Sequence, residues 1–529
     1  MTSTPLDVLV VGGGVTGAGA ALDAASRGLR VGLVEQRDYA SGTSSRSSKM
    51  FHGGLRYLER FDFALVREAL RERNLMINRL CPHLVKPASF IYPLEHRIWD
   101  RLYVGTGVFL YEVLARLASN PLPWHSHLGR KGLERLSPAL NARGGIRYWD
   151  TVVDDARHTL TLARTAAAHG ALLANSARVV GFDDDGGRVK AARVLDLESG
   201  DLAAVRTRAV INATGVWTDD VEGLAGEHGM DVHSSKGVHV LIPRDRIDSQ
   251  TGMIMRTKSS VLFVIPWGQH WIVGTTDTPW SLRRAHPAAS RSDIDYLLTS
   301  VNSSLTTPVS GSDVVGVYAG LRPLLRGESE QTSKLSREHA VRDRGNGLIS
   351  VAGGKYTTYR VMASDAVDAL APYMDRSIDR SSTADIPLLG AAPADEDRLH
   401  SRYGTLTDQL TEMIAIDRNY GRTVVADAPY LMAEIRYAVT HEGALHLDDV
   451  LTRRTRLSIE TRDRGTDAAR PTARVMADVM GWDQVTVDRE LAHYEARVRA
   501  ERDSQAQPDD RTADAARMGA PDVRTGISE

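Results

Sequence analysis

Apolar and polar positions fall into blocks of changing period along the 529 residues. Residues 6–11 form a short, β-branched run with one polar position, the pattern of a buried strand. The alanine-rich stretch 18–27, closed by Gly28, predicts a helix with a C-terminal glycine. Residues 30–34 are a second apolar run that ends on Glu35, so the opening reads as strand, helix, strand. Residues 61–78 predict an amphipathic helix with charged i, i+4 partners. Residues 102–117 are apolar with Glu112 and Arg116 interspersed, and Arg97 and Arg101 flank them. That stretch suits a core helix, or a helix lying in a membrane interface. Residues 171–180 read as a strand and 183–187 as a hairpin turn rather than a metal loop. Residues 252–256 and 261–267 alternate as in an antiparallel sheet. Beyond about residue 385 the pattern turns helical, and from about Arg502 it is polar, charged and proline-containing, which predicts disorder.

Composition narrows the class without naming a chemistry. The length calls for two or three domains, and 42% hydrophobic with 25% charged residues is ordinary for a globular protein. A net charge of -2 gives no reason to expect nucleic acid. The single cysteine, Cys81, excludes an internal disulfide framework and fits a reducing compartment. The N-terminus has neither a basic nor an apolar signal region, and no apolar run reaches the roughly 18 residues of a membrane span.

The chemistry begins at the first turn. Gly12, Gly14 and Gly17 occupy the G-x-G-x-x-G positions between strand and helix, with Glu35 closing the second strand. Gly12 permits the tight turn, Gly14 lets a pyrophosphate approach the backbone, and Gly17 lets the helix pack close. The free N–H groups of the helix start would face the phosphates, and Glu35 the ribose hydroxyls of a dinucleotide. After it, residues 41–49 (SGTSSRSSK) read as a linker by composition alone. Their position, one loop after the turn and ahead of His52-Gly53-Gly54, suits hydrogen bonding to a cofactor instead.

The run TSSRSSK (43–49) followed by HGGLRYLE (52–59) resembles the FAD-dependent sn-glycerol-3-phosphate dehydrogenases of aerobic respiration. These are members of the glutathione-reductase-like, amino-acid-oxidase-like flavoproteins, and the resemblance extends to about residue 500. It implies an α/β plus α+β fold: a Rossmann-like FAD-binding domain (1–85, 150–235 and 340–385), an antiparallel-sheet substrate domain (86–149 and 236–339) and a C-terminal helical domain (386–500). Residues 501–529 are left as a disordered tail. The helical domain would serve dimer or partner contact, or simply pack.

With FAD as cofactor, the resemblance adds Thr43, Ser44, Ser47, Lys49, Gly53, Gly215, Gly354, Lys355 and Thr357 to Gly12, Gly14, Gly17 and Glu35 as cofactor-binding positions. The substrate it implies is sn-glycerol 3-phosphate, oxidised to dihydroxyacetone phosphate. Its dianionic phosphate needs fixed cations, for which Arg56 and Arg322 stand first, with Tyr57 beside them. Arg322 lies between Gly320 and Pro323, a stiff setting. Proton removal needs a base, His239 or His52. Lys355 is either a third cation or a partner of the flavin ring. The implied electron acceptor is a quinone, which places the protein in the cytoplasm at the inner face of the plasma membrane. A glycerol-3-phosphate oxidase that uses oxygen, an amine or amino-acid oxidase, a flavin-binding module without turnover and an NAD-dependent dehydrogenase are the other readings. The His52–Glu59 run and the Arg322 motif argue against the amine oxidase; the apolar strand from 209 that ends in Ala213-Thr214-Gly215 and the return motif near residue 354, both features of the resemblance, argue against the NAD enzyme.

Overall fold

The structure is a computed structural model and describes residues 1–96, 98–226, 229–257, 261–325 and 339–524. Arg97, expected beside the apolar stretch, and residues 525–529 of the expected tail lie outside them.

Two sheets dominate. In the first, strands Leu348–Gly353, Leu202–Asn212, Leu6–Val11, Val31–Val34 and Leu172–Ala174 lie side by side and parallel. His339–Asp343 adds an antiparallel edge, and the hairpin Ala177–Asp185/Arg188–Asp196 pairs with the start of the long strand Leu202–Asn212. The central strand reads as an unbroken apolar run because both its faces are covered. Val8 and Val10 pack toward the helix Val15–Ser26 and Leu6 and Leu9 toward the hairpin, all fully buried. The helix starts tight against the strand: a Cβ on Gly17 would stand 1.9 Å from Gly12 O, so only glycine fits. Gly12 itself has φ +109°, a backbone state that favours glycine.

Among the described residues the second sheet has ten strands, with Val232–Pro243 flanked by Gly316–Leu325, His270–Gly274 and Thr278–Trp280. It is not wholly antiparallel, as alternation alone suggested: Gly252–Arg256 pairs parallel with Val85–Pro93, where two segments far apart in sequence meet. The strand expected over 171–180 is likewise two strands, broken at Ser176 with φ +51°.

The helical region packs around its own core, in which Leu447, Val450, Leu457 and Met476 are buried. The expected tail differs most. The helix Gln484–Ala506 runs past residue 501, a further helix spans Asp510–Arg517, and Arg524 ends in a buried pair with Asp449. Charge alternation that looks solvated in sequence is here spent on ion pairs with partners remote in the chain.

The helix Trp99–Arg116 has two characters. Val108, Tyr111 and Ala115 are buried, whereas Trp99, Leu102, Tyr103 and Phe109 are exposed, as is Trp124, which stacks on Phe109. Among the described residues no helix is long and apolar enough to cross a membrane.

Candidate active site

A cleft of about 980 Å³ runs between the two sheets, and most of the residues singled out from the sequence line it. At one end is the glycine turn. Gly14 caps the first helix without a side chain, and Ser44 Oγ accepts from Val15 N at 2.9 Å. The remaining first-turn N–H groups have no partner inside the helix, which suits an oxyanion at its positive end. Glu35 is fastened beside them: Oε2 accepts from Gly13 N at 2.7 Å and Oε1 from Arg37 N at 2.8 Å. A carboxylate has about four acceptor positions, so two remain for ribose hydroxyls. Burial pushes its carboxyl up from the usual range, against those two hydrogen bonds.

The hydroxyl run is no linker. Thr43 Oγ1 donates to Leu321 O at 2.6 Å, Ser47 Oγ to Asp155 at 2.7 Å, and Ser48 Oγ lies 2.9 Å from His239 Nε2. Thr43, Ser44 and Ser47 line the cleft, together with Gly215, Gly354 and Thr357. Lys49 does not. Its buried Nζ pairs with Asp155 at 2.8 Å and donates to Ser45 O at 2.9 Å, over the ring of Tyr318. Burial, reinforced by Arg456, lowers it to about 8. Asp155 takes this lysine because it sits at the start of the helix Asp155–Ala168 packed behind the loop. Gly53 also stays outside the lining; its N–H donates to the Tyr111 hydroxyl at 2.8 Å. Gly17 serves helix packing rather than the cleft wall.

On the other flank, His52, Tyr57, Lys355, His239 and Arg322 all line the cleft. Thr357 Oγ1 accepts from His52 N and donates to His52 O, each at 3.2 Å, tying the two motifs together. Lys355 Nζ stands 3.7 Å from the Tyr57 ring centre. Arg322 Nη2 donates to Thr275 Oγ1 at 3.0 Å and Thr276 O at 3.2 Å, which fixes its plane. Arg56 is half-buried and outside the lining; the neighbouring Tyr57 faces the cleft in its place. His239 stacks on Tyr318 with ring centres 4.8 Å apart. Burial first, then the charges of Arg322 and Lys49, hold its pKa well below 6.5, so the ring is neutral.

Several lining residues are not among those singled out from the sequence: Ser48 and Arg46, inside the TSSRSSK run, and Arg37, Trp217, Arg283, Arg284 and Asp514. Ser48 was one hydroxyl among several. Arg283 and Arg284 belong to a loop without glycine motif or periodicity, and Asp514 lies in the stretch that looked disordered.

The glycine turn, the uncapped helix start and Glu35 fit FAD. A family model described as FAD dependent oxidoreductase matches residues 7–360, and one described as C-terminal domain of alpha-glycerophosphate oxidase matches 374–487. The chain is 53% identical to glycerol-3-phosphate dehydrogenase 2 of Mycobacterium tuberculosis, over 99% of this chain and 93% of that protein. It is 33% identical to the mitochondrial glycerol-3-phosphate dehydrogenase of Homo sapiens, over 93% of this chain and 74% of that one. Among solved structures, the glycerol-3-phosphate dehydrogenase from Bacillus halodurans complexed with FAD superposes with a TM-score of 0.77 at 28% identity, covering 94% of this chain and 95% of that one. The chain therefore belongs to the glycerol-3-phosphate dehydrogenase family of FAD-dependent oxidoreductases.

Proposed function

We propose that this protein oxidises sn-glycerol 3-phosphate to dihydroxyacetone phosphate and passes the electrons to a membrane quinone. The observation that carries the reading is a single cleft lined by the dinucleotide turn and also by a held arginine, a lysine and two histidines. FAD, when bound, supplies the hydride acceptor. Arg322 and Lys355 hold the phosphate; Arg322 can present a planar fork because Thr275 and Thr276 orient it. Arg56, behind Tyr57, contributes charge at longer range. His239 accepts the C2 hydroxyl proton, with His52 the second candidate. Burial first, then the charges of Arg322, itself paired with Asp277 at 3.4 Å, and of Lys49, keep its proton affinity low, and a bound phosphate dianion would offset part of that charge.

The unit built on the first sheet (1–85, 150–235, 340–385) holds the cofactor and the unit built on the second (86–149, 236–339) the substrate. Met50–Phe51, an edge strand of the second sheet, lies inside the first unit's span, and the second-sheet strands Gly145–Val153 and Val232–Pro243 cross its boundaries. The exposed aromatic face of Trp99–Arg116 gives the protein a peripheral seat on the membrane.

The test is anaerobic mixing with glycerol 3-phosphate while the visible flavin absorbance is followed. Bleaching, reversed by a quinone analogue faster than by air, is expected. Fast recovery in air with peroxide formation would assign the oxidase reaction. Full flavin content without bleaching would remove the substrate.

A further inference from the structure

The chain beyond Ala506 has no part in the chemistry above, yet ion pairs fasten it along its length. Asp510, at the start of the helix Asp510–Arg517, pairs with the buried Lys236 of the long strand Val232–Pro243. Asp514 meets Arg283 at 3.2 Å. Asp522 meets Arg37 Nε at 2.9 Å. Arg524 donates to Ser176 Oγ at 2.8 Å and pairs with Asp449 at 3.0 Å. The segment thus touches the first sheet's unit at Arg37 and Ser176, the second at Lys236, and the helical region at Asp449.

Its anchors are not scattered. Arg37 and Arg283 line the cleft, and so does Asp514. Arg37 lies two residues past Glu35 and gives its N–H to that carboxylate, so Asp522 grips the chain where the ribose hydroxyls would bind. Both members of the Arg37–Asp522 pair are nearly buried, at 8% and 7% side-chain exposure, so the pair is shielded from solvent. An arginine held by a carboxylate has surrendered its rotamer freedom before a ligand arrives, which favours retention of that ligand.

We infer that residues 510–524 form a strap that completes the wall of the cofactor cleft, with Asp514 and Asp522 as positioning residues that set Arg283 and Arg37 around the dinucleotide and slow its escape. Release of the dinucleotide across this wall then requires the strap's ion pairs to break. The inference rests on FAD as the cofactor and is independent of the substrate.

The experiment compares FAD loss from the holoenzyme, a chain ending at Gln507, and the double variant Asp514→Asn/Asp522→Asn. The readout is the rate at which free-flavin fluorescence appears after dilution, well below the melting temperature, with circular dichroism to confirm folding. Both variants are expected to release FAD about tenfold faster or more. An unchanged release rate in a folded variant overturns the strap, even if the melting temperature falls, because the segment then only stabilises the fold. If the shortened chain does not fold, the double variant decides alone by the same criterion. No substrate enters this measurement, so its failure leaves the proposed reaction standing, and absence of bleaching by glycerol 3-phosphate leaves the strap standing.

Discussion

Arg322 is a designed anion contact only if its guanidinium is held, and the hydrogen bonds to Thr275 and Thr276 hold it. Arg322→Met should raise KM for glycerol 3-phosphate by two orders of magnitude or more, since a charge-assisted contact to a dianion contributes about 2–4 kcal/mol. Arg322→Lys should recover part of it, because the charge returns but the fork does not. An unchanged KM in the anaerobic reduction assay would take phosphate recognition away from this residue. His239 makes a separate prediction. With its pKa held well below 6.5, the free enzyme carries a neutral ring throughout the neutral range. The acid limb of kcat/KM, which reports the free enzyme, should therefore lie well below pH 6.5, with the rate rising as pH rises through it and flat from pH 6.5 to 8. A limb centred at or above 6.5 would exclude His239 as the base. At this scale the sequence motifs pointed to the glycine turn, His239 and Arg322, and the fold brings all three to the lining of one cleft. Lys49 misled: a lysine in a hydroxyl loop looks like a phosphate ligand, and only the fold brings Asp155, 106 positions away, to claim it.

The helix Trp99–Arg116 shows what an element's sequence can and cannot decide. Its apolar content fits a core helix first and an interfacial one second, and the structure buries one face and exposes the other. The inner face packs Val108 and Tyr111, and the outer presents Trp99 at 77% and Phe109 at 53% exposure. Exposed aromatics on one element, with Trp124 stacked on Phe109, make this face the place to test for lipid contact. Trp99→Ser/Phe109→Ser should weaken co-sedimentation with anionic phospholipid vesicles by tenfold or more, since each buried aromatic contributes about 1.5–3 kcal/mol. Flavin reduction by substrate in detergent-free buffer should be unaffected, because neither side chain lines the cleft. Equal vesicle binding by wild type and variant would dismiss the membrane seat. Residues 510–524 were illegible for the opposite reason. Alternating charge predicts a solvated segment, and nothing local says that Asp510, Asp514 and Asp522 have arginine and lysine partners more than 200 positions back.

At the scale of the molecule, buried charge pairs join the helical region to the first sheet's unit. Arg454 grips both carboxylate oxygens of Asp38 at 2.6 and 2.7 Å, and Arg456 reaches Asp155 at 2.6 Å. Such pairs specify one docking geometry, since any other would strand an ion in a dry interior. His446 belongs to this seam: Nδ1 lies 3.0 Å from Glu490 and Nε2 2.9 Å from Glu198, in the turn before the strand Leu202–Asn212. Hydrogen bonds to the two carboxylates outweigh burial and the nearby Arg524 and raise its pKa from 6.5 to about 9. The folded state thus binds this proton more tightly than the unfolded chain. The stabilisation is fully present below pH 6.5 and disappears as pH rises through 9, a loss on the order of 3 kcal/mol. Lys49 works in the opposite direction in the same window: its pKa is lowered to about 8, so the unfolded chain binds more protons there and stability gains with pH. The wild-type curve alone therefore mixes two slopes. Urea unfolding of wild type and His446→Gln at pH 6 and pH 9.5 separates them, because Lys49 cancels in the difference. The variant should be less stable than wild type at pH 6, and the gap should shrink by pH 9.5 as the imidazolium is lost. Parallel curves would mean that His446 is neutral in the fold and that Glu198 and Glu490 hold the seam by some other charge.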